Sequence, residues 1–186
     1  MHPSLADLSG AFVVEGHAIV SADGAIATPE GEMPKPLQVD ADWRAFQAAL
    51  DRSALVVLGR FGHERHPNPG RRRLVVTGTV NRWEREDEFA VLWNPDGARL
   101  ADVLEEIGVN GGTLAITGGT GVFDLFMGCY DRFVLSEVHG VVLPDGRPCF
   151  SAAHPRVVLA RSGLVPSEAM EIAPDVTTTL WRPLAP

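Results

Sequence analysis

Two stretches of this chain could hold an anion. The first is "TLAITGGTGVFDLFMG" (113–128), an apolar run stopped by Gly118 and Gly119, with Gly121 two residues on. Backbone N–H groups at a strand end can point at a phosphate, and glycine lets the phosphate approach closely. The spacing is not GxGxxG and no Lys-Ser/Thr follows, so a plain structural turn is an equal alternative. The second is "GRFGHERHPNPGRRRLVVTG" (59–78), where Arg60 follows one apolar run and Arg71, Arg72 and Arg73 open the next. The arginine fork matches phosphate or carboxylate in a bidentate way. Two neighbouring strand ends could share one anion pocket, or the segment could be a solvated basic loop.

Two other clusters carry less. His63, Glu64 and His66 lack the HExxH spacing, and Pro67 ends any helix there, so no metal is expected. Ser136, Glu137 and His139 lack a nucleophile-elbow glycine pattern.

The elements that must position these groups read as follows. Short β-branched runs lie at 12–20, 54–59, 73–78, 90–93, 113–118, 132–138, 156–160 and 176–181. "LVVL" and "LVVT" are apolar without alternation, as in a parallel sheet covered on both faces. Helical patterns lie between them. Trp43, Phe46 and Leu50 form one stripe, with Asp40 or Asp42 as its cap. Leu100, Val103, Leu104 and Ile107 form another, stopped by Gly108, and 122–127 allows a short third. Strands alternating with helices read as βαβ units. The last third, with little helix, reads as an antiparallel edge.

Bulk composition agrees. At 186 residues, 45% hydrophobic and 22% charged, the chain suits one α/β domain, with 1–15 as an N-terminal extension. A net charge of −8 argues against a nucleic-acid footprint, and no apolar run is long enough to span a bilayer. The N-terminus has no basic n-region, so no secretory leader is expected. Cys129 and Cys149 form no CxxC and are expected as free thiols in a reducing cytoplasm.

"ADWRAFQAALDRSALVVLGR" (41–60), "NPGRRRLVVTG" (68–78) and "AITGGTGVFDLFM" (115–127), in this order and spacing, resemble the dihydrofolate reductase superfamily. "IVSADGAIAT" (19–28) looks more like the "SxDG" opening of the riboflavin-type pyrimidine reductases than that of a folate reductase. The resemblance implies a three-layer fold: a mixed, mostly parallel sheet with an antiparallel C-terminal edge and helices on both faces. It also implies NADPH as cofactor. Gly59 and Arg60 match the family's Gly-Arg, where the arginine faces the adenosine 2′-phosphate. Thr77 and Gly78 match positions on the same side. Gly118 and Gly119 match the double glycine against the cofactor, with Thr120, Gly121 and Val122 continuing along its pyrophosphate.

By the same resemblance Asp42 matches the acid at the start of the first helix, with Asp40 competing for that role. Arg71 matches the arginine that grips the substrate carboxylate. Ser21 and Asp23 of "SADG" are substrate-side candidates, though Asp23 reads first as a turn residue, with positioning of the ligand as its alternative. "EGEMPKP" around Met33 reads as a lid or a solvated loop. Gly62, Thr120 and a loop 21–36 without tryptophan depart from the folate enzymes and point away from folate. The activity implied is NADPH-dependent reduction of a ribosylamino-pyrimidine or pterin-like small molecule, like 5-amino-6-(5-phosphoribosylamino)uracil reductase, and the riboflavin-type resemblance implies a homodimer. The alternatives are a true dihydrofolate reductase and a non-catalytic NADP-binding protein.

Overall fold

The computed structural model describes residues 2–6, 8, 10–66 and 68–184. The strands are β1 (Phe12–Ser21), β2 (Ala25–Ala27), β3 (Leu55–Gly59), β4 (Arg73–Val76), β5 (Trp83–Arg85) and β6 (Ala90–Trp93). They continue with β7 (Gly112–Ile116), β8 (Arg132–Val138), β9 (Arg147–Pro148), β10 (Leu164–Pro166), β11 (Met170–Ala173) and β12 (Val176–Pro183). The helices are α1 (Asp40–Arg52), α2 (Arg60–Arg65), α3 (Leu100–Glu106), α4 (Thr120–Leu125) and α5 (Pro155–Arg161).

One sheet runs in the order β10-β12-β8-β1-β7-β3-β4-β6-β5, with β11 also on β12, and β2 pairs with β9 in a separate ribbon. From β8 to β6 every neighbouring pair is parallel. β12 is antiparallel to β8, β10 and β11, and β5 is antiparallel to β6. Mixed sheet, parallel centre and antiparallel C-terminal edge are as the sequence implies.

Side-chain alternation divides the two faces. Val14, Val20, Leu55, Val57, Leu114 and Ile116 join α3, α4 and α5 in the larger core. Val56, Leu58, Val75 and Ala115 meet Leu50 and Phe46 of α1 on the other face. The larger core is aromatic at its centre: Phe123, Phe126, Phe133 and Phe150 are each 1% exposed or less. α1 is different, for Leu50 is its one buried residue among those described. The helix rests on the sheet at its C-terminal end, and its first turns stand over a hollow.

Two expectations change. "RVVLA" (156–160) is helix, not strand. His154 accepts the Arg156 N–H, Pro155 occupies the first turn, and Val158 and Leu159 are buried. A proline-led cap outweighs the mild helix penalty of two valines. Residues 1–15 are not all an extension: β1 begins at Phe12, and Leu5 is buried in the larger core. Pro67, expected as a helix stop, lies outside the described residues; α2 ends at Arg65.

Candidate active site

A cleft of about 1780 Å³ opens where β3, β4 and β7 end and α1 begins. Gly59, Arg60, Thr77, Gly78, Gly119, Thr120, Gly121 and Val122 all line it, as do Asp40 and Asp42. In an open α/β sheet the carboxyl ends of the strands are where ligands sit.

The glycine turn is built for close approach. The Gly59 N–H donates to the Gly118 carbonyl at 2.8 Å, tying the end of β3 to the turn. Gly118 has φ +90°, and a Cβ there would lie 2.5 Å from the Phe123 ring. It faces that ring rather than the cleft. Gly119 and Gly121 are open: a Cβ at Gly121 meets nothing within 4 Å, and one at Gly119 only Ile26 at 3.7 Å. The Thr120 hydroxyl donates to the Pro148 carbonyl and anchors the turn to the β2–β9 ribbon. The Thr120 and Gly121 N–H groups open α4, where a helix has no internal acceptor for them. Bare backbone, first-turn donors and the Thr77 hydroxyl fit a dinucleotide phosphate.

Arg60 stands at the rim with its Nε donating to Glu64 at 2.7 Å. Arg71, Arg72 and Arg73 do not share its site. β3 and β4 are parallel with Val56 beside Arg73 and Gly59 beside Val76, so the three arginines enter at the opposite strand end. The shared anion pocket expected of the two strand ends is therefore corrected by topology. Arg71 does not line the cleft; its guanidinium is taken up by Asp51, Gln47 and Asn68. Ser21 and Asp23 also stand off the cleft lining. Ser21 is fully buried and donates to Asp23, which accepts the Leu143 N–H at 3.1 Å. These two organise the turn after β1 rather than face a ligand.

The sheet forms the floor beneath α1. Glu15 lies beside Arg132, His17 beside Val134, and Ile19 beside Ser136, while Thr178 of β12 lies beside Ser136. Helix α1 supplies Asp42 above them. Val39, not an aspartate, is the N-cap of α1. Burial pushes the Asp42 carboxyl above its ordinary range, against the hydrogen bonding of Ser136 and the charge of His17. A carboxyl so placed can keep a proton.

Glu15, His17, Arg132, Ser136 and Thr178 were not among the expected site residues. His17 Nε2 is 2.7 Å from Glu15 Oε1, and Arg132 Nε donates to Glu15 Oε2. Burial acts to raise the Glu15 carboxyl, but the bonds and charges of His17 and Arg132 hold it below its ordinary value. Ser136 and Thr178 share a hydroxyl bond at 2.7 Å. The signal was present in "FVVEGHAIV": two polar residues at period two inside an apolar strand must share one face.

The segment around Met33 is a strap across the rim. Thr28 and Glu32 close a tight turn, Glu32 pairs with Arg65 of α2, and Gly31 abuts the Phe61 ring. Arg65 and Arg147 both stack on Phe61, at 4.0 and 5.1 Å from its centroid. Met33 lines the cleft from this strap.

No helix among the described residues is long and apolar enough to cross a membrane. Neither a protein-family model nor a curated protein matches the sequence. Solved structures do match. A protein assigned to riboflavin biosynthesis from Shewanella sp. PV-4 aligns at TM-score 0.63 and 18% identity, over 91% of this chain and 98% of the other. Dihydrofolate reductase from Enterococcus faecalis, solved with NADP(H) and RAB-propyl, aligns at 0.65 and 16%, over 91% and 95%. A diaminohydroxyphosphoribosylaminopyrimidine deaminase/5-amino-6-(5-phosphoribosylamino)uracil reductase from Thermotoga maritima aligns at 0.65 and 15%, over 92% of this chain. This chain spans 56% of that protein's length. Element order, parallel centre, antiparallel edge and these alignments together give the chain the dihydrofolate reductase-like α/β fold.

Proposed function

We propose that this chain is an NADPH-dependent reductase acting on a ribosylamino-pyrimidine or pterin-like compound. The observation that carries the reading is one cleft lined both by the open glycine turn and by the half-buried Asp42, whose carboxyl desolvation pushes up. Gly119, Thr120, Gly121 and Val122 hold the pyrophosphate, with Gly59, Thr77 and Gly78 alongside. Arg60 meets the 2′-phosphate. When bound, the nicotinamide supplies a hydride.

The chain's own residues do the rest. Asp42 keeps a proton near the ring to be reduced, because burial favours its neutral form. Trp43, half exposed on the rim, offers an indole face for a planar ring. Met33 on the strap closes the rim and excludes water. The alignments to a folate reductase and a uracil reductase support a reductase fold and leave the substrate to experiment.

The test is calorimetric titration with NADPH and with NADH, on the native chain and on Arg60→Ala. A preference for NADPH that Arg60→Ala removes is the expected result. Binding of neither nucleotide sinks the reading and makes the glycines a structural turn.

A further inference from the structure

Asp42 is not the only group in the cleft able to hold a proton. His17 sits on the floor, on β1, beneath α1. β1 pairs with β7 up to Gly16 beside Ile116, so His17 stands level with the start of the glycine turn. It lines the same cleft as Gly119–Val122 and Asp42, and its charge acts on the Asp42 carboxyl. Its Nε2 is held by Glu15 at 2.7 Å, and both side chains are nearly buried, at 7% and 11%. Arg132 of β8 grips the other Glu15 oxygen, and Phe46 of α1 stands edge-on to the imidazole at 5.8 Å.

We propose that Glu15 and His17 form a proton-holding dyad, and that His17 gives the proton to the heteroatom of the bond being reduced. This rests on the reductase reading for its substrate. When a reduced nicotinamide delivers hydride to the carbon of a C=N or C=O bond, the heteroatom's electron pair takes one proton. The imidazolium gives that proton, becomes neutral and regains one from water. A carboxylate bound to one ring nitrogen fixes the tautomer and leaves the other, Nδ1, to exchange the proton. Glu15 is a positioning residue, and Arg132 keeps it a carboxylate. The charged groups around His17 are Glu15 on its own strand, Arg132 from β8 and Asp42 from α1, with Arg52 farther along the cleft wall. Among the described residues, Thr113 of β7, Thr117 just after it and Thr178 of β12 are the polar residues those strands bring to the cleft.

The test joins imidazole 15N NMR to kinetics on the full chain. His17 is identified by the signal lost in His17→Gln. In its neutral form the native ring is expected to carry its one proton at Nε2, and Glu15→Gln mixes the tautomers. An unchanged tautomer in Glu15→Gln overturns the dyad. The kinetic arm offers dihydrofolate and 5-amino-6-(5-phosphoribosylamino)uracil. His17→Gln should lower kcat about a hundredfold, with KM little changed. A His17→Gln enzyme with native kcat, or turnover of neither compound, overturns the proton-giving role. NADPH titration separates the two failures. Loss of nucleotide binding in the native chain sinks the reductase reading, while the NMR still decides the dyad.

Discussion

Glu64 reaches back one helical turn along α2 and holds the Arg60 guanidinium at 2.7 Å, on the rim where a nucleotide phosphate would arrive. The pair is exposed on both sides, so it contributes little to stability. Its consequence is for binding. If the proposed function holds, the carboxylate offsets part of the positive charge that Arg60 would offer a 2′-phosphate. Glu64→Gln should therefore tighten NADPH up to about fivefold and leave NADH unchanged, because exposed pairs are worth roughly 0.2–1 kcal/mol. The gain should shrink with added salt. Calorimetry at two salt concentrations checks it, and an equal gain for NADH would remove Arg60 from the 2′-phosphate.

Asp42→Asn should trade activity for stability. Asparagine keeps the shape but loses the carboxylic acid set beside the ring, which polarises the bond to which His17 gives its proton, so kcat should fall by about 10²- to 10⁴-fold. The sign of the stability change follows from the raised pKa. As pH rises from the ordinary carboxyl value to the raised one, the folded chain holds a proton that the unfolded chain has lost, so stability falls through that window. Above it the charged form is buried at a cost that asparagine avoids. Thermal melts should show Asp42→Asn more stable than the native chain at pH 7 and equal to it at low pH. A variant less stable at pH 7 would mean that the carboxylate is held by partners rather than opposed by burial.

The parallel centre of the fold was legible because β3, β4 and β7 are apolar runs without alternation, as strands covered on both faces must be. The glycine turn was legible because Gly118, with φ +90°, tolerates no side chain beside Phe123. What escaped was geometry across the sheet. Arg60 and Arg71 are close in sequence, but Arg60 follows the end of β3 while Arg71 precedes the start of β4, and the two strands are parallel, so the two arginines lie at opposite ends of the sheet. Glu15 and Arg132 are 117 residues apart and meet only because β8 lies beside β1. Single-strand patterns show which face a residue occupies, not which strand stands beside it. "RVVLA" was misread because β-branched content was weighed above the His154–Pro155 cap.

Gly121→Val should empty the cradle without unfolding the chain. A Cβ at Gly121 meets no protein atom within 4 Å, and its φ is not in the left-handed region, so the fold accepts a side chain. The space it enters is the cleft. NADPH affinity should drop at least about tenfold, which corresponds to 1.4 kcal/mol, while the melting temperature stays within a few degrees. Gly118→Ala makes the contrast, since its methyl would press on the Phe123 ring and lower stability first. Native affinity in Gly121→Val would place the nucleotide elsewhere.

Gly16 measures how tightly β1 is packed in the larger core. A Cβ there would lie 2.1 Å from the Phe133 ring and 2.9 Å from Tyr130. Both rings are buried, and Tyr130 is fixed by a hydrogen bond to the Phe123 carbonyl at 3.0 Å, so neither can yield easily. Gly16→Ala should cost about 1–3 kcal/mol, the usual range for overpacking. For a chain of this size that lowers the melting temperature by roughly 2–12 °C. Phe133→Leu alone should also destabilise, by leaving a cavity. The two changes share one space, so their effects should not add. The double variant should be more stable than the sum of the single losses predicts. Strict additivity in a double-mutant cycle of melts would show that the Gly16 backbone and the Phe133 ring are not in contact.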